Sequence, residues 1–330
     1  MDRNYHVFSD GRVERHEDTL RVVTEDGEKK PFPVENTEAV FLHGQLDYNT
    51  RLVSFLDDHG VAAHVFGWND YYAGSIVPSR GQTSGQTLVE QVRAYDDVDH
   101  RRRLAAAFVS GSIHNMRTNV TYYDGRRGEL GDIRQELNAT RDRVDEADSV
   151  SELLGVEATA RRAYYRAFDT ILPDRFQMDG RSYNPPPNEV NSLISYGNAL
   201  VYANCVSAIR ATALDPAVSY LHEPGERRYS LSLDIADLFK PLLADRVTFR
   251  VLNRSQIGRD DFRDELDKCL LTEDGRQTYT KEFEETLEET VDHPRLNRKV
   301  SYKHLLRLEA YKLKKHLLAG ESYEPFERWW

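Results

Sequence analysis

The sequence predicts an α+β protein: a small N-terminal β-rich domain over residues 1–78, joined to a larger, nearly all-α C-terminal domain over residues 88–330. Three observations predict it. Asp-Gly pairs at Asp10-Gly11 and Asp26-Gly27 punctuate alternating apolar and polar runs, the strongest short-range hairpin signal a sequence offers. Residues 79–87, SRGQTSGQT, are small, polar and poor in apolar anchors, as a linker or mobile loop would be. From residue 88 onward the apolar positions recur at helical spacing.

In the first part YHVFS, RVERHEDTLRVV and VENTEAVFLHG are predicted strands. Thr50 is placed to cap a short helix, TRLVSFLDD, that Gly60 ends, after which VAAHVFGW and YYAGSIVP return to strand character. In the second part LVEQVRAYDDVDHRRRLAAAFVSGSIHNMRTNV supports one long helix or two shorter ones. Ser149 and Glu152 have the S-x-x-E form of a capping box before LLGVEATARRAYYRAFDTIL. NEVNSLISYGNALVYANCVSAIRATAL is apolar on more than one side, as a buried central helix is. SLDIADLF, FEETLEETV and SYKHLLRLEAYKLKKHLLAG complete the helical set.

The chain has 330 residues, 39% of them hydrophobic, enough for two cores of ordinary size. No apolar run approaches the roughly 20 residues that span a bilayer. The start, MDRNYHVFSDG, lacks the basic and apolar segments of a signal peptide, so the expected location is cytoplasmic, away from membranes. Cys205 and Cys269 stand far apart and outside any CxxC pair, which argues against zinc knuckles and disulfides and for two small buried residues. A net charge of −11 argues against a nucleic-acid partner at first sight. Yet the basic residues are 34 arginines and only 10 lysines, a balance that suits solubility at high salt with guanidinium groups kept for specific anion contacts. The closing YEPFERWW places Trp329 and Trp330 for docking on a partner or on their own domain.

Chemistry concentrates in YLHEPGERRYSLSLDIADLFKP, residues 220–241. If SLDIADLF is helical, Asp234 and Asp237 leave one face a turn apart, and Leu231, Ile235 and Leu238 form much of the apolar face. His222 precedes them. The same residues suit a divalent-metal site, or a solvated acidic stripe beside a turn histidine. Glu157, four residues before Arg161 and seven before Tyr164, shares a helix face with a guanidinium and a phenol. Two carboxylates and one imidazole leave positions open on a divalent ion for a phosphodiester oxygen and an attacking water or hydroxyl. The histidine leans the preference to Mn²⁺, while Mg²⁺ also serves. Arg161, Arg162, Arg227 and Arg228 are candidate phosphate contacts, and Tyr164 and Tyr165 either pack or contact a nucleotide. Asn191 suits a buried hydrogen bond between helices.

Three blocks then carry a family resemblance. GVEATARRAYY (155–165), PPPNEVNSLISYGNALVYANCVSAI (185–209) and LDPAVSYLH with RRYSLSLDIADLFKPLLAD (214–245) stand in order, and the chain resembles over its whole length the CRISPR-associated integrase and endonuclease family, the first Cas protein. The resemblance implies Glu157, His222 and Asp237 as Mg²⁺ or Mn²⁺ ligands and Asp234 as a further catalytic aspartate, though Asp234 suits equally a group that holds His222 or an arginine in place. It implies an antiviral-defence enzyme that joins the 3′ hydroxyl of new spacer DNA to a repeat phosphodiester by transesterification and cleaves branched or linear DNA. It also implies a homodimer, with dimerisation through the N-terminal domain, around a small second Cas protein, acting on double-stranded DNA. Departures are Ala158 for a usual glycine, SYLH without a glycine before Leu221, SGSIHNM (110–116) without a basic residue, and Asp237 where many members have glutamate. None changes a ligand type. A structure-specific repair nuclease or transposon integrase would share the triad, and a non-catalytic DNA scaffold would be expected to have broken it.

Overall fold

The computed structural model describes residues 3–17, 19–32, 34–79, 84–182, 186–225, 229–265 and 268–330. They divide into two compact units, Met1–Gln82 and Thr83–Trp330.

The first unit contains two four-stranded sheets. One has the order β1-β5-β7-β8: β1 (Arg3–Val7), β5 (Thr37–Leu42) and β7 (Ala62–Phe66) run parallel, and β8 (Tyr72–Ile76) runs antiparallel to β7. The other has the order β4-β3-β2-β6, from β2 (Gly11–His16), β3 (Thr19–Val23), β4 (Lys29–Phe32) and β6 (Leu46–Asp47). The run RVERHEDTLRVV is thus two strands, β2 and β3, paired antiparallel. Asp26-Gly27 makes the expected hairpin turn between β3 and β4, with Gly27 at φ 84°. Asp10-Gly11 does not make one. It carries the chain from one sheet to the other, with the Asp10 carboxylate accepting from the Gln45 N–H, because burial rather than the local turn sets each strand's partner. α1 (Thr50–His59) is capped one residue earlier than expected, by Asn49, whose side chain accepts from the N–H groups of Arg51 and Leu52. Gly60 ends α1 in the left-handed conformation, φ 68°. Val13, Leu20, Val22, Val40, Leu42, Leu52, Phe55 and Leu56 share one core.

Residues 80–83 of the expected linker lie outside the described residues, and the remainder of 79–87 is not all loop. Ser84 caps α2 (Gly85–Asp96) by accepting from the Thr87 N–H, so Gly85–Thr87 are helical. A cap and one buried face suffice where apolar anchors are few. Asp97 closes α2 and caps α3 (Val98–Arg127), so the long pattern divides into two helices at an aspartate. α4 (Gly131–Asp142), α5 (Val150–Ile171) and α6 (Glu189–Arg210) follow. Ser149 and Glu152 cap α5 as expected, though the glutamate accepts from Asp148 N–H rather than from the cap residue. α6 is buried along most of its length. Asn191 on it is buried too, but it pins the loop at 178–182 rather than a second helix: it donates to the Met178 and Gly180 carbonyls and accepts from Arg181 and the Ser182 N–H.

α7 (Ser230–Lys240), a π-helical turn at Pro241–Asp245 and α8 (Arg246–Asn253) form one continuous rod. α9 (Glu273–Glu288) and α10 (Tyr302–Ala319) complete the helices, and two short hairpins stand among them, β9 (Phe262–Glu265) with β10 (Lys268–Leu271) and β11 (Thr290–His293) with β12 (Arg298–Ser301). Beyond Gly320 the tail lies on its own unit. Phe326 stacks on Phe239 with centroids 4.7 Å apart, and the Trp329 indole donates to the Asp292 carbonyl, leaving each terminal tryptophan partly exposed. Cys205 and Cys269 are free thiols in the interior, and burial pushes the Cys269 thiol up to about 12. Among the described residues, no helix is long and apolar enough to cross a membrane.

Candidate metal centre

The centre starts from a proline. Pro241 has no N–H to return to the Asp237 carbonyl one turn earlier, and the helix widens into a π turn there. The Asp237 carbonyl accepts instead from the Ser112 hydroxyl of α3 at 3.0 Å, and the Leu238 carbonyl accepts from the Asn115 amide at 2.8 Å. α7 is therefore tied to α3 at the turn that carries Asp237. Asn115 also donates to the Phe326 carbonyl and accepts from the Arg328 N–H, which fastens the C-terminal tail to the same point.

Asp234 is fully buried one turn before. Its carboxylate accepts four hydrogen bonds: from the N–H groups of Tyr220 (2.8 Å), Leu221 (3.1 Å) and His222 (3.0 Å), and from His222 Nδ1 (2.8 Å). An oxygen that already accepts a backbone N–H leaves Nδ1 the donor, so Nδ1 carries the proton and the other ring nitrogen, Nε2, is turned outward. It faces Asp237 Oδ2 at 3.9 Å, beyond hydrogen-bonding range. Burial alone would lower the His222 pKa; the bond to Asp234 and the charges of Asp237 and Asp234 outweigh it and hold the imidazole above its usual value.

Asp237 is nearly buried, and burial would raise its pKa. The charges of Arg161, Lys240 and His222 overcome that and hold the carboxyl well below the usual range. Arg161 Nη2 and Lys240 Nζ both stand 2.7 Å from Asp237 Oδ1. Arg161 Nε pairs with Glu157 Oε1, one turn back on α5. A single guanidinium thus joins the two carboxylates expected to ligate a metal. Behind them Asp245, buried in the π turn and bonded to Tyr164, is pushed by burial up to about 7.

Glu157, His222 and Asp237 thus meet in one place. Asp234 joins them through His222, with four donors on its two oxygens, the geometry of a group that holds the imidazole in place. Two donors bound to one ion at Mg²⁺-like distances of about 2.1 Å lie within about 4.2 Å of each other, a limit that His222 Nε2 and Asp237 Oδ2 meet. Among the described residues no three histidine, cysteine or acidic groups already converge at ligand distance, because the guanidinium stands between two of them. The donor types fit a hard or borderline divalent ion.

The expected DNA contacts divide. Arg161 is taken up between Glu157 and Asp237, and Arg162 is exposed on α5. Tyr164 is fully buried and accepts from the Asn119 amide, and Tyr165 is buried edge-on against Phe168, so both pack and neither presents a ring to a nucleotide. Arg227 and Arg228 lie outside the described residues. Sequence reasoning missed Ser112, Asn115, Lys240 and Asp245. The lysine had a signal, since it sits three residues after Asp237, and so did Pro241, whose missing N–H leaves a carbonyl in need of a donor.

Residues 5–285 match the family model described as CRISPR associated protein Cas1. The chain is 54% identical over 327 residues to the CRISPR-associated endonuclease Cas1 of Haloferax volcanii, covering 99% of each chain. It superposes with a TM-score of 0.87 on a Cas1 protein from Thermotoga maritima, at 35% identity, over 98% of this chain and 100% of that one. A casposase bound to integration product has the same fold, with a TM-score of 0.90 at 19% identity over 99% and 93%.

Proposed function

This chain belongs to the Cas1 family, and we propose that its Glu157–His222–Asp237 centre makes it a divalent-metal-dependent DNA endonuclease and integrase of CRISPR adaptation. The observation that carries the proposal is the Asp234 cage, which fixes the His222 tautomer and aims Nε2 at Asp237. Metal-ligating histidines almost always donate their other ring N–H to a carboxylate or carbonyl in this way.

Glu157, His222 Nε2 and Asp237 would hold Mn²⁺ or Mg²⁺. Bound there, the ion supplies Lewis-acid activation of a water or a DNA 3′ hydroxyl and offsets charge gathering on the phosphorus oxygens. The chain's own groups do the rest. Asp234 keeps the His222 proton on Nδ1. Lys240 holds Asp237 ionised and oriented. Ser112 and Asn115 fix the backbone of α7, so the carboxylate stays in place as strands are exchanged. Arg162, exposed on the helix that bears Glu157, would meet backbone phosphates of double-stranded DNA. We further propose that the chain works as a homodimer with the small second Cas protein, which would hold and measure the DNA fragment.

A strand-transfer assay tests this. Labelled short duplex and a repeat-containing plasmid are mixed with protein and its small partner at high salt, with Mn²⁺ or with EDTA. Joining should require the metal and vanish in Glu157→Ala, His222→Ala and Asp237→Ala. Joining that survives all three substitutions would place the chemistry elsewhere.

A further inference from the structure

We propose that Arg161 is a displaceable internal counter-cation: it and a divalent ion compete for Glu157 and Asp237, and the guanidinium, once displaced, takes a DNA phosphate, so that metal and DNA binding are coupled. This rests on the metal-ligand reading of the centre given above.

The geometry points this way in three respects. First, the guanidinium engages one oxygen of each carboxylate that the ion would need, Glu157 Oε1 and Asp237 Oδ1. A doubly charged ion on the same groups would stand within a few ångströms of it, where like charges in a largely buried site repel strongly. Second, its two attachments are unequal. Nε is bonded to Glu157, but Nη2, although 2.7 Å from Asp237, is buried without an aligned hydrogen bond there. Third, Arg161 is not the sole cation on Asp237, because Lys240 holds the same oxygen from within α7 with a bond of 2.7 Å. Arg161 can leave and Asp237 keeps a cation. Lys240, three residues from Asp237 on one helix, has no such freedom.

A released guanidinium keeps its charge and its planar fork, which matches the paired oxygens of a phosphodiester better than an ammonium does. Exposed Arg162 follows it on α5 and adds positive charge nearby. Linkage then runs both ways: whatever factor DNA adds to metal affinity, metal adds to DNA affinity.

The test is Mn²⁺ binding, measured by calorimetry and by the electron paramagnetic resonance signal of free Mn²⁺, with and without a short blunt DNA duplex. Wild type should bind Mn²⁺ more tightly when duplex is present. Arg161→Gln should bind Mn²⁺ about tenfold more tightly than wild type without DNA, equivalent to about 1.4 kcal/mol, and should gain little from duplex. Arg161→Lys, which keeps one charge but cannot bridge both carboxylates, should fall between. If Arg161→Gln does not fold, arginine-selective labelling of wild type by phenylglyoxal, located by mass spectrometry, replaces it, and Mn²⁺ should raise the modification of Arg161. Unchanged or weaker Mn²⁺ binding in a folded Arg161→Gln, or labelling that Mn²⁺ leaves unchanged or lowers, would overturn the competition and make Arg161 an orienting group. Glu157→Gln separates the two failures. If it binds Mn²⁺ as wild type does, the metal-ligand reading itself falls, and the coupling with it.

Discussion

Replacing Asp234 by asparagine removes one charge and converts one acceptor oxygen into an NH₂ group, in a cage where four donors converge. The amide oxygen satisfies two of them, and the N–H groups of Tyr220 and Leu221, which share one oxygen now, are the pair it suits. The new NH₂ then faces the His222 N–H and Nδ1. Nδ1 escapes by giving up its proton and accepting from the amide, which moves the ring proton to Nε2. The His222 N–H has no such exit and is left against another donor, at about 1–3 kcal/mol for one buried unsatisfied group. With the weaker bonds of a neutral acceptor added, the unit should lose about 2–4 kcal/mol, or roughly 5–15 °C in melting temperature for a unit of this size. The larger consequence is chemical: a protonated Nε2 cannot ligate, and loss of such a supporting bond weakens a metal site about 10–100-fold. Mn²⁺ calorimetry on wild type, Asp234→Asn and His222→Ala, with thermal unfolding of each, checks both parts. Asp234→Asn should fall most of the way to His222→Ala in affinity. An Asp234→Asn protein that melts early yet binds Mn²⁺ within twofold of wild type would refute the tautomer argument and leave Asp234 a purely structural residue.

Asp245 makes stability fall as pH rises. Its folded pKa of about 7 exceeds the unfolded 3.8, so the folded state holds the extra proton, and stability is lost between these values, by about 4 kcal/mol at most. Asp245→Asn keeps a neutral partner for Tyr164, and its melting temperature relative to wild type should climb from pH 5 to pH 8; a difference independent of pH would show that the carboxyl is ionised throughout. Asn115→Ala removes the tie to the Leu238 carbonyl and takes away a partner of the Phe326 carbonyl and of the Arg328 N–H, at a cost of about 2 kcal/mol or more, and should free the tail. A red shift in tryptophan fluorescence should mark the release, and an unshifted spectrum would mean that the Phe326–Phe239 stack alone holds it.

The layout of the chain was legible where the signal was local. Helix periods, the Ser149 cap, the Gly60 stop and the Asp26-Gly27 hairpin depend on residues within a few positions of one another, and each is as expected. Asp10-Gly11 has the same turn chemistry, yet the strands on its two sides join different sheets, because partners 34–35 residues away offer β1 the buried neighbour. The two short hairpins in the helical unit gave no signal. Strands of four residues such as Phe262–Glu265 carry too few alternations to stand out from a loop.

The candidate site shows the same limit in charged form. Asp234 and Asp237 three apart on a helix are a legible spacing, but spacing gives both carboxylates the same standing, and burial does not. One is surrounded by four N–H donors and so becomes a fixed acceptor that orients a neighbour. The other is met by two cations and an imidazole nitrogen, and its second oxygen is left facing the imidazole. That difference is made by the backbone of residues 220–222 on one side and by α5 on the other, which no pattern within residues 230–240 encodes. Arg161 illustrates the converse. A sequence with two acidic groups and an arginine nearby suggests a phosphate contact, because an exposed guanidinium has nothing better to bind. Placed between Glu157 and Asp237 in a largely buried site, the same group is needed first by the protein itself, since two uncompensated carboxylates there would cost several kcal/mol. Whatever Arg161 does for DNA it therefore does conditionally, after something else has met the charge of those two residues.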